Sequence, residues 1–207
     1  MTAGRIEGIV GPMYSGKSEE MLRRCERARI AGQKVQFLTP SLDTRRGVGR
    51  VVSNGGRRIE DYGFEPTPVH ATNPLATSIE RDTQVVAIDE IQFFNAPSFY
   101  PEGTMNEGAT PFGFRIVEEI KIQAEVFGRR IIWAGLDMNF RGEPFGPVPF
   151  LLAISTTVDK LTAVCKCGSQ FATHSFRLVK NNAEILVGAE KEYAARCLSC
   201  YLQESHA

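Results

Sequence analysis

Short, nearly continuous apolar runs alternate along this chain with longer amphipathic stretches. That pattern is expected when buried parallel strands alternate with covering helices. Residues 5–10 run straight into Gly11 and predict a first strand. Residues 17–31 carry the helix formers Glu19, Glu20, Met21, Leu22 and Arg23, and Gly32 stands where a helix C-cap belongs. A second strand is predicted over 34–39, closed by Pro40. Strand, loop, helix and strand in this order open a parallel α/β sheet. The pattern fails over 41–63, where arginines and Gly47, Gly49, Gly55 and Gly56 suggest a long loop or an irregular hairpin. It returns at 85–89 as a strand ending in acid, and residues 95–113 again read as a loop. Ile116, Ile120, Ala124 and Phe127 recur at helical spacing up to Gly128, and 130–134 is a further apolar strand before Gly135. After Pro149 a brief apolar segment leads into a cysteine-bearing region that begins near Leu161.

The 207 residues suffice for one α/β domain with a small appendage. Twenty-four basic side chains balance 24 acidic ones. This balance removes the broad positive field that binding to nucleic acid or an anionic membrane would use. Arg45, Arg46, Arg50, Arg57 and Arg58 still fall close together, as either a solvated loop or a phosphate contact. No apolar run approaches the roughly 20 residues of a membrane helix. Arg5 and Glu7 interrupt any signal-like stretch at the start, so the cytoplasm is the expected location. Thiols stay reduced there, and clustered cysteines then point to metal or catalysis. Cys165, Cys167, Cys197 and Cys200 form such a group, while Cys25 stands alone.

Gly11, Pro12, Met13, Tyr14, Ser15, Gly16, Lys17 and Ser18 fit the G-x-x-x-x-G-K-[ST] pattern in full, between a predicted strand and a predicted helix. Glycines let backbone N–H groups converge on phosphate oxygens, and the helix N-terminus adds partial positive charge at the same point. Lys17 is the point charge for the β- and γ-phosphates, and Ser18 supplies a hydroxyl for Mg²⁺. ATP with Mg²⁺ is therefore the expected cofactor. Asp89 and Glu90 end the strand at 85–89, where such folds place functional side chains. Asp89 is the candidate for holding Mg²⁺. Glu90 either accepts a proton from an attacking hydroxyl or caps the next turn. Cys197 and Cys200 have zinc-knuckle spacing.

Three blocks together carry a family resemblance: residues 11–20 with the phosphate loop, 88–94 with the acid pair, and 135–146, Gly-Leu-Asp-Met-Asn-Phe-Arg-Gly-Glu-Pro-Phe-Gly. With the closing 187–197 segment and Cys200, they resemble the thymidine kinases of bacteria and animal cytosol, in the same order over nearly the whole chain. The resemblance implies a P-loop-type parallel sheet flanked by helices over 1–160. It also implies a small zinc-binding domain over 161–207 that carries a lasso loop. It implies transfer of the ATP γ-phosphate to the 5′-hydroxyl of thymidine and of deoxyuridine, with Glu90 as base. Met13, Phe93, Phe140, Phe145, Ser175, Val187, Gly188 and Tyr193 fall on positions that meet the nucleoside in the family, Ser175 replacing the commoner Thr. On residue chemistry alone the phenylalanines are either stacking surfaces or core. The resemblance further implies a homotetramer inhibited by thymidine triphosphate. The balanced charge and the lack of a membrane-length apolar run are why no nucleic-acid or membrane partner is expected.

Three departures stand out. Ser53, Asn54 and Gly55 occupy the place of a His-Asp or similar pair, and the 95–113 connection is longer than usual. Cys165 and Cys167 form a tight C-x-C where the family has C-x-x-C, with Gly168 in the expected position, and His174 is a possible substitute ligand. A four-thiolate Zn²⁺ site stands beside the alternative of two reduced cysteine pairs. Two other functions fit parts of the sequence. One is a P-loop ATPase binding nucleic acid through its cysteine knuckle, and the other is a family member that binds nucleotide without turnover.

Overall fold

The opening apolar run becomes an inner strand of a sheet. The computed structural model describes residues 4–41, 59–71, 73–94, 114–180 and 191–205. Strand β1 (Arg5–Val10) has β5 (Arg130–Gly135) on one side and β6 (Thr157–Lys160) on the other. Beyond β5 lie β4 (Val85–Ile88), β2 (Val35–Pro40) and, at the far edge, β3 (Pro66–Val69). All five pairings of this six-stranded sheet are parallel, the α/β architecture expected from the strand–helix order.

Strands buried on both faces must be apolar on both, and successive residues feed opposite cores. Ile6, Val10, Val86, Ile88, Ile131 and Trp133 pack beneath α2 (Arg115–Glu125) and α3 (Val148–Ile154). Ile9, Phe37, Val85, Ala87, Ile132 and Ala134 pack beneath α1 (Lys17–Ile30) through Met21, Leu22 and Cys25. A buried charge also ties α1 to the sheet. Glu7 accepts hydrogen bonds from Arg130 at 2.7 and 3.0 Å and from Arg24 of α1 at 3.1 Å. Burial pushes the Glu7 carboxyl up, but the hydrogen bonds from Arg130 and Arg5 outweigh it and hold it below its ordinary value. Helix α1 ends as the sequence predicts. Gly32 takes φ +77°, its N–H reaches the Arg29 carbonyl at 2.9 Å, and Gln33 N–H reaches Ala28 at 3.0 Å.

Past β6 the chain builds a second, two-stranded antiparallel sheet, β7 (His174–Arg177) with β8 (Tyr193–Arg196), followed by α4 (Leu198–Ser205). Two strands of the main sheet lack an apolar-run signal. β3 holds Pro66 and Pro68, which an edge strand tolerates because no central ladder needs their missing N–H groups. β6 is exposed at all four residues and polar at Asp159 and Lys160, so only its pairing with β1 makes it a strand. The apolar segment around Pro149 becomes α3, with Pro149 in its first turn, where a missing N–H costs nothing. The five clustered arginines, the Ser53-Asn54-Gly55 departure and the 95–113 connection lie outside the described residues. Among the described residues, no helix is long and apolar enough to cross a membrane.

A Cβ on Gly8 would stand 2.5 Å from Cζ2 of Trp133. That indole is fully buried and donates to Ser155 Oγ at 2.9 Å, so it cannot retreat without losing a bond. Gly8→Ala should therefore lower the unfolding free energy by about 1–3 kcal/mol. The readout is a lower urea midpoint with an unchanged slope.

Candidate active site

The loop between β1 and α1 turns back on itself because three of its residues take left-handed backbone angles: Gly11 (φ +147°), Tyr14 (φ +68°) and Gly16 (φ +84°). Gly11 is required for a second reason, since a Cβ there would collide with the Leu161 carbonyl. Ser15 Oγ and Lys17 Nζ both donate to the Pro12 carbonyl, at 2.8 and 2.6 Å. Lys17 is thus buried within the loop, its ammonium drawn over the turn. Gly16 opens α1, whose first free N–H groups carry the positive end of the helix dipole. The loop can hold a polyphosphate.

At the end of β4 two carboxylates diverge. Asp89 is buried, and its Oδ1 and Oδ2 accept from Glu90 N–H at 2.9 Å and Ser18 Oγ at 3.1 Å. Burial first, and the neighbouring Glu90 charge second, push the Asp89 carboxyl up to about 7 against the opposing pull of Lys17 and these hydrogen bonds. Glu90 holds φ +49°, an uncommon angle for a residue with a Cβ and a mark of local strain. A short 3₁₀ turn (Ile91–Phe93) follows, closed by Phe93 N–H on the Glu90 carbonyl at 3.0 Å. Gln92 Nε2 donates to Glu90 Oε2 at 2.5 Å, and Gln92 Oε1 accepts from Leu136 N–H at 3.0 Å. The amide thus joins the ends of β4 and β5.

The remaining predicted contacts gather from four distant segments. Phe93 and Phe145 meet edge to face, with ring centres 6.4 Å apart. Ser175 Oγ accepts from Met13 N–H at 3.0 Å, and Tyr14 donates to the Tyr193 carbonyl at 3.2 Å, so β7 and β8 both rest on the phosphate loop. Arg177 links two rings. Its guanidinium lies 3.6 Å from the centre of the Phe140 ring and donates to the Tyr193 hydroxyl at 3.1 and 2.7 Å. Asn139 Oδ1 shapes the turn around Phe140 by accepting from Arg141 N–H at 2.9 Å and Glu143 N–H at 3.1 Å. Val187 and Gly188, with the rest of the predicted lasso, lie outside the described residues. Sequence reasoning missed Gln92 and Arg177. A polar residue inside the run Ile91-Gln92-Phe93-Phe94 was the available signal for the first, whereas nothing in the local pattern marked the second.

The four cysteines converge despite the C-x-C spacing. The Sγ atoms of Cys165, Cys167, Cys197 and Cys200 all lie within 4.8 Å of one another, with Cys167 and Cys197 at 3.8 Å. Tetrahedral zinc with Zn–S near 2.3 Å needs sulfurs about 3.8 Å apart, so the set fits a tetrahedral thiolate-binding ion. Burial pushes the Cys165 thiol up, but hydrogen bonds from the Cys167 and Cys197 backbone and from neighbouring thiols outweigh it and bring it to about 6. Sharing its proton with Cys165 and Cys197 pushes Cys200 up to about 12. One thiolate is thus already favoured in the cluster. Gly168 at φ +86° closes the tight turn between Cys165 and Ser169. His174 is absent from the cluster. Its ring stacks on Tyr201 at 4.3 Å and bonds Thr173 Oγ1.

Compared with known protein families, residues 4–201 match the model described as thymidine kinase.

An unfolded chain titrates Asp89 near 3.8, and the folded site raises it to about 7. The folded state therefore binds the proton more tightly. Its stabilisation is complete below pH 3.8 and is lost as the pH rises to about 7. Asp89→Asn cannot ionise, so ligand-free variant protein should lose less thermal stability across that window than the parent. Parallel melting-temperature profiles for the two proteins would contradict the assignment.

Proposed function

The chain belongs to the thymidine kinase family and is an enzyme that phosphorylates thymidine; on that premise we propose that ATP is the donor and that Glu90 activates the acceptor. The observation that carries this reading is the Ser18–Asp89 hydrogen bond of 3.1 Å, which joins the phosphate loop to the acid pair. In the proposed reaction the loop N–H groups and Lys17 hold the β- and γ-phosphates of ATP. Ser18 and Asp89 offer the hard oxygen donors that suit Mg²⁺. When bound, the ion neutralises phosphate charge and keeps Asp89 ionised. Glu90 accepts the proton of the 5′-hydroxyl as that oxygen attacks the γ-phosphorus, and ADP departs as the bridging P–O bond breaks.

The nucleoside, in this reading, lies against Phe93, Phe140 and Phe145, beside Met13, Ser175 and Tyr193, with Val187 and Gly188 of the lasso over it. Deoxyuridine is accepted along with thymidine, because the two differ by one methyl group and a methyl contributes little discrimination. The four cysteines hold a structural Zn²⁺ that ties the two ends of the segment 161–207 together, and this segment acts as a separate small domain on the kinase domain 1–160. A cytoplasmic homotetramer inhibited by thymidine triphosphate completes the proposal.

Glu90→Gln should lower turnover by about 10²–10⁴-fold while thymidine binding, measured by calorimetry, survives. Activity within a few-fold of the parent would remove Glu90 from the chemistry. The same assay, run over all nucleosides and with DNA or RNA added, should give ATP consumption only with thymidine and deoxyuridine. Stimulation by nucleic acid alone would favour an ATPase instead.

Metal analysis should find one zinc per chain, lost in Cys197→Ser and kept in His174→Ala. Zinc removal should weaken nucleoside binding while ATP still binds, because metal coordination supplies folding free energy to a segment too small for its own core. Protein purified without chelators yet free of zinc would end the metal proposal.

A further inference from the structure

We infer that Gln92 is a positioning residue for the phosphoryl transfer, orienting the Glu90 carboxylate through its side-chain amide. This rests on Glu90 being the base, as proposed above. Gln92 is completely buried in the apolar run Ile91-Gln92-Phe93-Phe94. An amide in such a place is costly unless both of its ends are bonded, so packing alone would favour an apolar side chain. Both ends are bonded. Oε1 accepts from Leu136 N–H at 3.0 Å, and Nε2 donates to Glu90 Oε2 at 2.5 Å.

The backbone around the amide is arranged for this contact. Glu90 holds its left-handed φ of +49°, and the turn that follows brings Gln92 back beneath it. On the facing strand, Gly135 leaves the space that the amide occupies. A Cβ there would stand 2.5 Å from Gln92 Oε1 and 2.7 Å from Ile91 Cγ2. The end of β5 thereby fixes Gln92, and Gln92 fixes one oxygen of Glu90. With that oxygen held, the plane of the carboxylate and the direction of its second oxygen are set before substrate arrives. A neutral amide does this without placing a cation beside the base.

The test uses the full chain with thymidine and ATP, measuring kcat and thymidine KM. Gln92→Met removes both bonds. Gln92→Glu keeps an acceptor for Leu136 N–H but replaces the donor facing Glu90. Each substitution is made alone and together with Glu90→Gln. Both single variants should lose kcat, by up to about 10²-fold for a misplaced catalytic group, with KM nearly unchanged. In the Glu90→Gln background neither substitution should reduce kcat further, because the residue acts through Glu90. A further loss there, or Gln92→Glu with parental kcat, would overturn the inference and leave Gln92 a structural tie to Leu136. If Glu90→Gln itself kept parental turnover, the base assignment would fall first and the positioning role with it. Should Gln92→Met not fold, Gln92→Glu decides alone.

Discussion

The arrangement depends on one close approach, where the chain leaving β6 crosses Gly11 with its backbone in contact. Leu161 N–H bonds the Val10 carbonyl at 2.8 Å, and the Leu161 carbonyl occupies the space that a Cβ at Gly11 would need. Glycine therefore serves two ends at the same position. It lets the loop turn tightly enough for its N–H groups to converge, and it admits the segment that starts the cysteine-bearing sheet. That segment returns over the loop, where Ser175 and the Tyr193 carbonyl accept from Met13 and Tyr14. The phosphate loop is consequently held between two sheets, and the residues of the proposed nucleoside side are anchored to the residues of the phosphate side.

Electrostatics divides the work at the end of β4. Asp89 is buried and pushed up to about 7, so its charge is costly until a cation or donor compensates it. Glu90 lies one residue later, turned away by its left-handed backbone and bonded by Gln92. Two adjacent acids thus have different environments, the condition under which one can bind metal and the other move a proton. Lys17, drawn in by the Pro12 carbonyl, adds the positive charge that a polyphosphate requires.

The aromatic side of the site depends on an equally indirect arrangement. Phe140 lies in the turn after β5 and Tyr193 on β8, and the buried guanidinium of Arg177 packs against one ring and bonds the other's hydroxyl. The cysteine cluster lies at the base of the same small sheet, with Cys165 before β7 and Cys197 and Cys200 after β8. The small sheet has few buried side chains of its own, and Cys165, Cys197 and Cys200 are among the groups packed there.

The sequence by itself determined everything encoded within a few neighbouring residues. β1, α1, β2, β4, α2 and β5 were legible because hydrophobic period and helix-ending glycines are local properties. The phosphate loop and the acid pair were legible because their chemistry needs particular residue types at fixed spacing. The edge strands β3 and β6 were not, since prolines or polar residues form strands there only when a neighbour offers its ladder. Nor did spacing alone decide whether Cys167 could reach the cluster. The turn at Gly168 and the pairing of β7 with β8 brought it within 4.8 Å of the other three sulfurs. The Gln92 bond to Leu136 spans 44 positions, and the Ser175 bond to Met13 spans 162. Such contacts leave no periodicity in the chain, because only the packing of complete elements brings their atoms within reach.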